Sequence, residues 1–231
     1  MVIERDLLTS LLKLTKDGPV IIESVNQDSR IASDIVRKLL KKLQNEDLLY
    51  LNGNTVEADS SKRLRLAVKA ASLGADVERI STFLRWQEFE DIAALALERN
   101  GYAVAKNLRF TYAGRRWEID VVGCRKPLVL CLDCKHWQRG VKPSALRKIV
   151  EAQAERAHAL ADILPSPKLK VNCVKWNEAK FIPVIVSLIP SSFKFYDDVP
   201  VVPVLQLQDF LTQLPAYVES LKYFTKKFSH L

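Results

Sequence analysis

The sequence predicts an α/β protein in which a mixed β-sheet flanked by helices is preceded by a small helical module ending in a hairpin. Three observations carry this. From Trp86 onward, segments of helical periodicity alternate with short apolar runs, the pattern of a sheet covered by helices. Before residue 59, helix-period segments are followed by two strand-like runs around an Asn-Gly turn. The 231 residues are 48% hydrophobic, enough for one large domain or two small ones.

Leu7, Leu8, Leu11, Leu12 and Leu14 recur at near-helical spacing, and Asp17-Gly18-Pro19 closes that helix. A short helix is expected around Ile21 to Asn26. In the next helix, Ile31, Ile35, Val36, Leu39, Leu40 and Leu43 form one apolar stripe, with Arg37, Lys38, Lys41 and Lys42 lying away from it. LLYLNGNTVEA then reads as a hairpin. Residues 59–84 read as a helical linker, broken at Gly74, with Asp76 as an N-cap and with Lys62, Arg63, Arg65 and Lys69 on a solvated or phosphate-facing side. WQEFEDIAALALERNGY is an amphipathic helix whose apolar face is centred on Trp86, Phe89, Ala93, Ala96 and Leu97. LRFTYAGRRWEIDVVG and PLVLCLDCKHW are strand-like, PSALRKIVEAQAERAHALADIL is a long helix, and KFIPVIVSLI is a buried strand. Residues 165–180 are expected on the surface; VPVVPV is a further short strand, and a final helix is expected from about Leu207 to Lys227. The expected domains are thus 1–58, a linker at 59–84, and 85–231.

No run of eighteen apolar residues occurs, and MVIERDLLTS lacks the basic start and apolar core of a secretion signal, so a cytoplasmic protein without a membrane partner is expected. The net charge of +8 favours an anionic partner, nucleic acid first. The excess lies beyond residue 58, since residues 1–58 hold 8 Lys and Arg against 9 Asp and Glu. Cys131-x-x-Cys134 has the spacing of a zinc knuckle, with Cys124 and Cys173 available to complete it. Residues three apart in a strand face opposite sides, however, so these thiols read as small buried hydrophobes. His136, His158 and His230 are scattered without ligand spacing.

The segment richest in chemistry is Glu118-Ile119-Asp120 followed by Asp133-Cys134-Lys135. Alternation in a strand puts Asp133 and Lys135 on one face, and Gly123 and Pro127 of GCRKP supply a reversal that makes the two strands antiparallel neighbours. Converging carboxylates repel unless a cation neutralises them, and oxygen donors suit Mg²⁺ or Mn²⁺. Such an ion activates water and offsets phosphate charge, while Lys135 orients the water or steadies the transition state; the chemistry is phosphodiester hydrolysis.

This order of a helical acid, a strand Asp and Asp-x-Lys on the next strand resembles the PD-(D/E)xK nucleases, especially Mrr-type restriction endonucleases and archaeal Holliday junction resolvases, over roughly residues 85 to 190. The resemblance implies a restriction endonuclease-like core, with Asp120 and Asp133 as metal ligands and Lys135 as the catalytic lysine. His136 and Trp137 match the tail that follows that lysine. Among Glu88, Glu90, Asp91 and Glu98, helical geometry favours Glu90 as the first-motif acid and third metal ligand, because it flanks the apolar face while Asp91 and Glu98 lie nearly opposite; it also matches the family's Phe-Glu pair. Gln153 resembles a glutamine that some relatives place beside the metal. Glu118 is an auxiliary ligand or a partner of Arg115 or Arg116, and both arginines are candidate phosphate contacts.

Residues 1–58 resemble a winged helix, in which Arg37, Lys38, Lys41 and Lys42 of the third helix would meet DNA, or which would instead serve as a dimerisation or protein-docking element, since its charge is close to balanced. The expected function is a Mg²⁺- or Mn²⁺-dependent endonuclease acting on DNA, branched or modified DNA included, in repair, recombination or restriction. A homodimer suits cutting of both strands. The alternative is a DNA-binding or regulatory protein that uses the winged helix and a nuclease-like domain without cutting.

Overall fold

The structure is a computed structural model that describes residues 2–135, 137, 141–166, 168–188 and 190–228. The chain divides into two compact units between Phe89 and Glu90, inside a helix.

In the first unit the order is α1 (Val2–Leu14), β1 (Val20–Ile21), α2 (Ile22–Ser29), α3 (Ser33–Asn45), β2 (Tyr50–Asn52), β3 (Thr55–Glu57), α4 (Ser60–Ser72) and α5 (Val77–Thr82). The three strands form an antiparallel sheet in the order β1-β3-β2. Leu7, Leu8, Leu11 and Leu12 of α1 are wholly buried, as are Val36, Leu40 and Leu43 of α3, so both helices turn their apolar stripes inward. Asp59 caps α4 by accepting from the Lys62 N–H, and Asp76 caps α5 by accepting from Arg79 N–H.

Residues 59–84 are not a solvated linker. Helix α4 packs along α1, and Leu66, Ala67 and Ala70 are buried there. Lys62 is buried against Asp47, and Arg63 is 0% exposed. The Arg63 guanidinium donates to Glu88 (2.7 Å), to the carbonyls of Leu12 (2.8 Å) and Phe83 (2.7 Å), and to Thr15 Oγ1 (2.7 Å). Glu88 is equally buried, so the pair is a fully desolvated ion pair whose hydrogen bonds are satisfied. Composition read these residues as solvated because charge alone does not show which cation has a buried acid waiting for it.

The second unit begins within α6 (Trp86–Arg99) and continues β4 (Ala103–Tyr112), β5 (Arg115–Arg125), β6 (Leu128–Lys135), α7 (Pro143–Ile163), β7 (Glu178–Ser187), β8 (Phe195–Tyr196), β9 (Val199–Pro203), α8 (Leu207–Tyr217) and β10 (Phe224–Lys227). The mixed sheet runs β4-β5-β6-β7-β9-β8, with β10 also paired to β7. β4, β5 and β6 are antiparallel neighbours, whereas β6, β7 and β9 run parallel. Helix α7 covers one face, where Ala157 and Leu160 pack with Val122, Val129, Cys131 and Phe181.

Four expectations change here. Gly123 lies within β5 rather than in the reversal, paired to Val104 and Leu130; a Cβ there would stand 2.9 Å from Leu97 of α6, so the glycine lets that helix approach the sheet. The reversal itself falls at Lys126-Pro127. Trp86 is 43% exposed, because it opens α6 ahead of the buried stretch from Glu88. Residues 165–180 contribute to the core through Leu169, Val171 and Cys173, which the lysines between them conceal in sequence. The final helix stops at Tyr217, after Pro215, and residues 224–227 become β10, whose Phe224 packs on the α7 core.

Candidate active site

β5 pairs with β4 from Arg115 to Cys124 but with β6 only from Val121 onward. β6 keeps its parallel pairing to β7 as far as Lys135. The two strands therefore part at Asp120, and one step beyond the last pair, Val121 with Leu132, sets Asp120 opposite Asp133. Where a backbone carbonyl would have continued the ladder, Asp120 Oδ2 accepts the Cys134 N–H at 2.7 Å. The fork thus leaves two carboxylates at the carboxyl end of a central strand, where α/β sheets open to ligands.

Alternation puts Asp133 and Lys135 on the face of β6 that carries Val129 and Cys131, the face covered by α7. Asp133 is 4% exposed. Lys135 Nζ lies 2.7 Å from its Oδ2 and donates to its Oδ1 at 2.9 Å. Oδ2 is buried and receives no well-aligned hydrogen bond, so the Lys135 ammonium beside it is held by charge rather than by a directed N–H. Burial first, and then the neighbouring Asp133 carboxylate, push the Asp120 carboxyl above the ordinary aspartate range; the Cys134 N–H and the cations Lys135 and Arg156 oppose them.

Gln153 is wholly buried on α7, and its Nε2 donates to the Cys131 carbonyl at 2.7 Å. Arg156, which the sequence reading missed, donates through Nη1 to Asp133 Oδ1 and to Gln153 Oε1, both at 3.2 Å. Its signal was present: Gln153 and Arg156 are three residues apart, one helix face, and that face also carries Ala157 and Leu160.

Glu90 is buried at the start of the unit. Its charge is felt at Lys106 and at Cys134, whose side chain alternates to the other face of β6 from Asp133. Among the described residues no three His, Cys, Asp or Glu side chains close on one metal position, so Glu90, Asp120 and Asp133 do not form a ready three-carboxylate cage. Glu118 is exposed and ion-paired to Arg109 at 3.1 Å across the β4–β5 register, an alternative to both roles expected for it. Arg115 pairs with Glu155 at 3.1 Å and stacks on Trp117, while Arg116 is exposed without an ion pair among the described residues. Of the α3 cations, Arg37, Lys38 and Lys41 are exposed and Lys42 binds Glu4 at 3.0 Å. Trp137 packs beside Leu146 and Val150; His136 and His230 lie outside the described residues. All four cysteines are free and buried, and burial pushes the thiols of Cys131 and Cys134 up, away from the thiolate that zinc requires.

No helix among the described residues is long and apolar enough to cross a membrane. The restriction endonuclease family, in the form of its Mrr catalytic domain, matches residues 82–164, the stretch holding Glu90, Asp120, Asp133, Lys135, Gln153 and Arg156. An uncharacterized protein of Archaeoglobus fulgidus is 31% identical over 136 residues, 58% of this chain and 95% of that protein. Among solved structures, protein VC1899 from Vibrio cholerae aligns at 12% identity and a TM-score of 0.41, covering 95% of this chain and 52% of that one. The restriction endonuclease FokI aligns at 12% identity and a TM-score of 0.36, covering 93% of this chain and 44% of its own. The chain thus spans about half the length of these solved structures. Residues 82–164 are thus a restriction endonuclease-like domain of the PD-(D/E)xK type, and the chain shares a family with the Archaeoglobus fulgidus protein that it matches over nearly that protein's full length.

Proposed function

We propose that the second unit is a divalent-metal-dependent endonuclease that hydrolyses phosphodiester bonds of DNA. The observation that supports it most is the fork at Asp120, which sets two carboxylates and the Lys135 amine side by side at the open end of β6. Hard carboxylate oxygens fit Mg²⁺ or Mn²⁺, and Mg²⁺ is usually held by one or two carboxylates with water and phosphate completing its shell, so a three-acid cage is not required. Asp120 and Asp133 are the residues that would hold the ion, with Glu90 adding negative field through the Cys134 position. When bound, the ion supplies Lewis acidity and a nucleophilic water. Lys135 orients that water and meets charge developing on the phosphate. Gln153 holds the site in shape through Cys131, and Arg115 and Arg116 grip the DNA backbone from the β4–β5 hairpin.

We read the first unit as a winged helix whose α3 presents Arg37, Lys38 and Lys41 to DNA. Acting on both strands of a duplex or a junction calls for a twofold pair of chains. One observation favours a non-catalytic reading: Asp133 is already neutralised by two cations, Lys135 and Arg156.

The test is incubation of the full chain with labelled linear, nicked, flapped and four-way DNA, in magnesium and in EDTA. Cleavage is expected only with the metal, and Lys135→Ala should slow it by about two to four orders of magnitude without loss of the fold. Cutting that survives EDTA or Lys135→Ala would overturn the assignment. DNA binding without any cutting would establish the non-catalytic reading.

A further inference from the structure

The carboxylates at the fork come with matched charge. Asp120 and Asp133 carry two negative charges, and Lys135 and Arg156, the cations that act on both, carry two positive ones. Lys135 reaches Asp133 from the same strand, two residues on. Arg156 reaches it from α7, and its orientation is imposed rather than incidental. Its Nη1 is shared between Asp133 and Gln153, and Gln153 is itself wholly buried and fastened to the Cys131 carbonyl. A guanidinium steered in this way onto one oxygen of a carboxylate is a placed counter-charge.

We infer that Arg156 is the resident counter-cation of Asp133, which yields the carboxylate to a divalent ion and then turns its guanidinium to the DNA phosphate. This inference rests on the proposed nuclease reading and deepens it. The electrostatic reason is simple. Lys135 and Arg156 already match Asp120 and Asp133, so a divalent ion adds two positive charges that the buried Glu90 offsets only in part, and of these two cations it is Arg156 that is brought by a separate element rather than by β6 itself. The phosphodiester brings the missing negative charge, and the freed arginine offers it a two-pronged donor. Ion and DNA should therefore bind cooperatively, with Arg156 holding the site in a charge-balanced state until both arrive. The arginine is a positioning residue in the empty site and a substrate contact in the filled one.

The experiment is titration of the full-length protein with Mn²⁺, followed by paramagnetic resonance of the free ion, with and without a short duplex made uncleavable by phosphorothioate linkages. Without DNA, Arg156→Gln should bind Mn²⁺ about tenfold more tightly than the wild type, the size expected from removing one neighbouring positive charge. Adding the duplex should tighten Mn²⁺ binding to the wild type and do so much less for Arg156→Gln. Arg156→Lys keeps the charge on a shorter arm and should fall between the two; it carries the test if Arg156→Gln folds poorly. Arg147→Gln, an exposed change on the same helix, should leave both titrations unmoved. If Arg156 merely tied α7 to β6, its loss would weaken Mn²⁺ binding or leave it unchanged, and either result overturns the inference. If the wild type binds no Mn²⁺ at all, the metal-dependent reading falls together with it. If the wild type binds Mn²⁺ and cuts DNA while Arg156→Gln binds no more tightly, only the role of Arg156 is lost.

Discussion

Asp120 stands at the cost of the fold. Its carboxyl is pushed above the ordinary aspartate value of 3.8, first by burial and then by Asp133. The folded chain consequently holds a proton that the unfolded chain has released, so stability falls as pH rises through the window between 3.8 and the raised value. Asp120→Asn removes that penalty while keeping an oxygen to accept the Cys134 N–H. In EDTA near pH 7 the variant is expected to melt a few degrees above the wild type, with the gap closing as pH falls through the same window, and to lose DNA cleavage. A melting temperature at or below that of the wild type near pH 7 would show that ionised Asp120 is not a source of strain. The same residue was readable in sequence as a strand acid, and so was its pairing with Asp133. The raised carboxyl was not readable, because the groups that act on it, Asp133 and Lys135 of β6 and Arg156 of α7, are brought to it by the fold.

At the scale of elements, the alternation that predicted β5, β6 and the long α7 survived intact, since each carries enough apolar surface to fix its own face. The errors fall where one element depends on another. Helix α4 looked soluble until α1 supplied its cover, and Arg63 looked like a surface cation until Glu88 was found beside it. Breaking one side of such a buried pair leaves a naked charge, so Arg63→Ala is expected to destabilise the first unit by about 3–5 kcal/mol. Replacing both partners at once, as in Arg63→Met with Glu88→Leu, should recover most of that loss. Urea titrations followed by the helical signal would decide it, and a single variant within about 1 kcal/mol of the wild type would refute it. Gly123 teaches the same lesson from the other side: the reversal it was expected to make belongs to Lys126-Pro127, and what it provides is clearance for Leu97.

For the whole molecule, the net charge of +8 is made of −1 in residues 1–58 and +9 beyond them, yet the exposed cations of α3 point outward from the nearly balanced module. Salt dependence of DNA affinity separates the two contributions, because each phosphate contact adds about 0.9 to the slope of log affinity against log salt. Arg37→Gln/Lys38→Gln/Lys41→Gln should lower that slope by about 2–3 if the first unit binds DNA, and Arg115→Gln/Arg116→Gln by about 1–2 if the β4–β5 hairpin does. A slope that neither set moves places the DNA elsewhere on the chain.

By itself the sequence determined the α/β class, the antiparallel strand pair bearing Asp120 and Asp133, the lysine two residues on, and the helix that carries Gln153. These follow from periods of 2 and 3.6 and from turn residues, which are local properties of the chain. Only the tertiary structure decided that β5 and β6 part at Asp120, that Arg156 rests on Asp133, that Arg63 and Glu88 are buried together and that residues 224–227 form a strand beside β7. Each of these is a meeting of residues distant in sequence, and the energy of a charge is set by what surrounds it rather than by what precedes it in the chain.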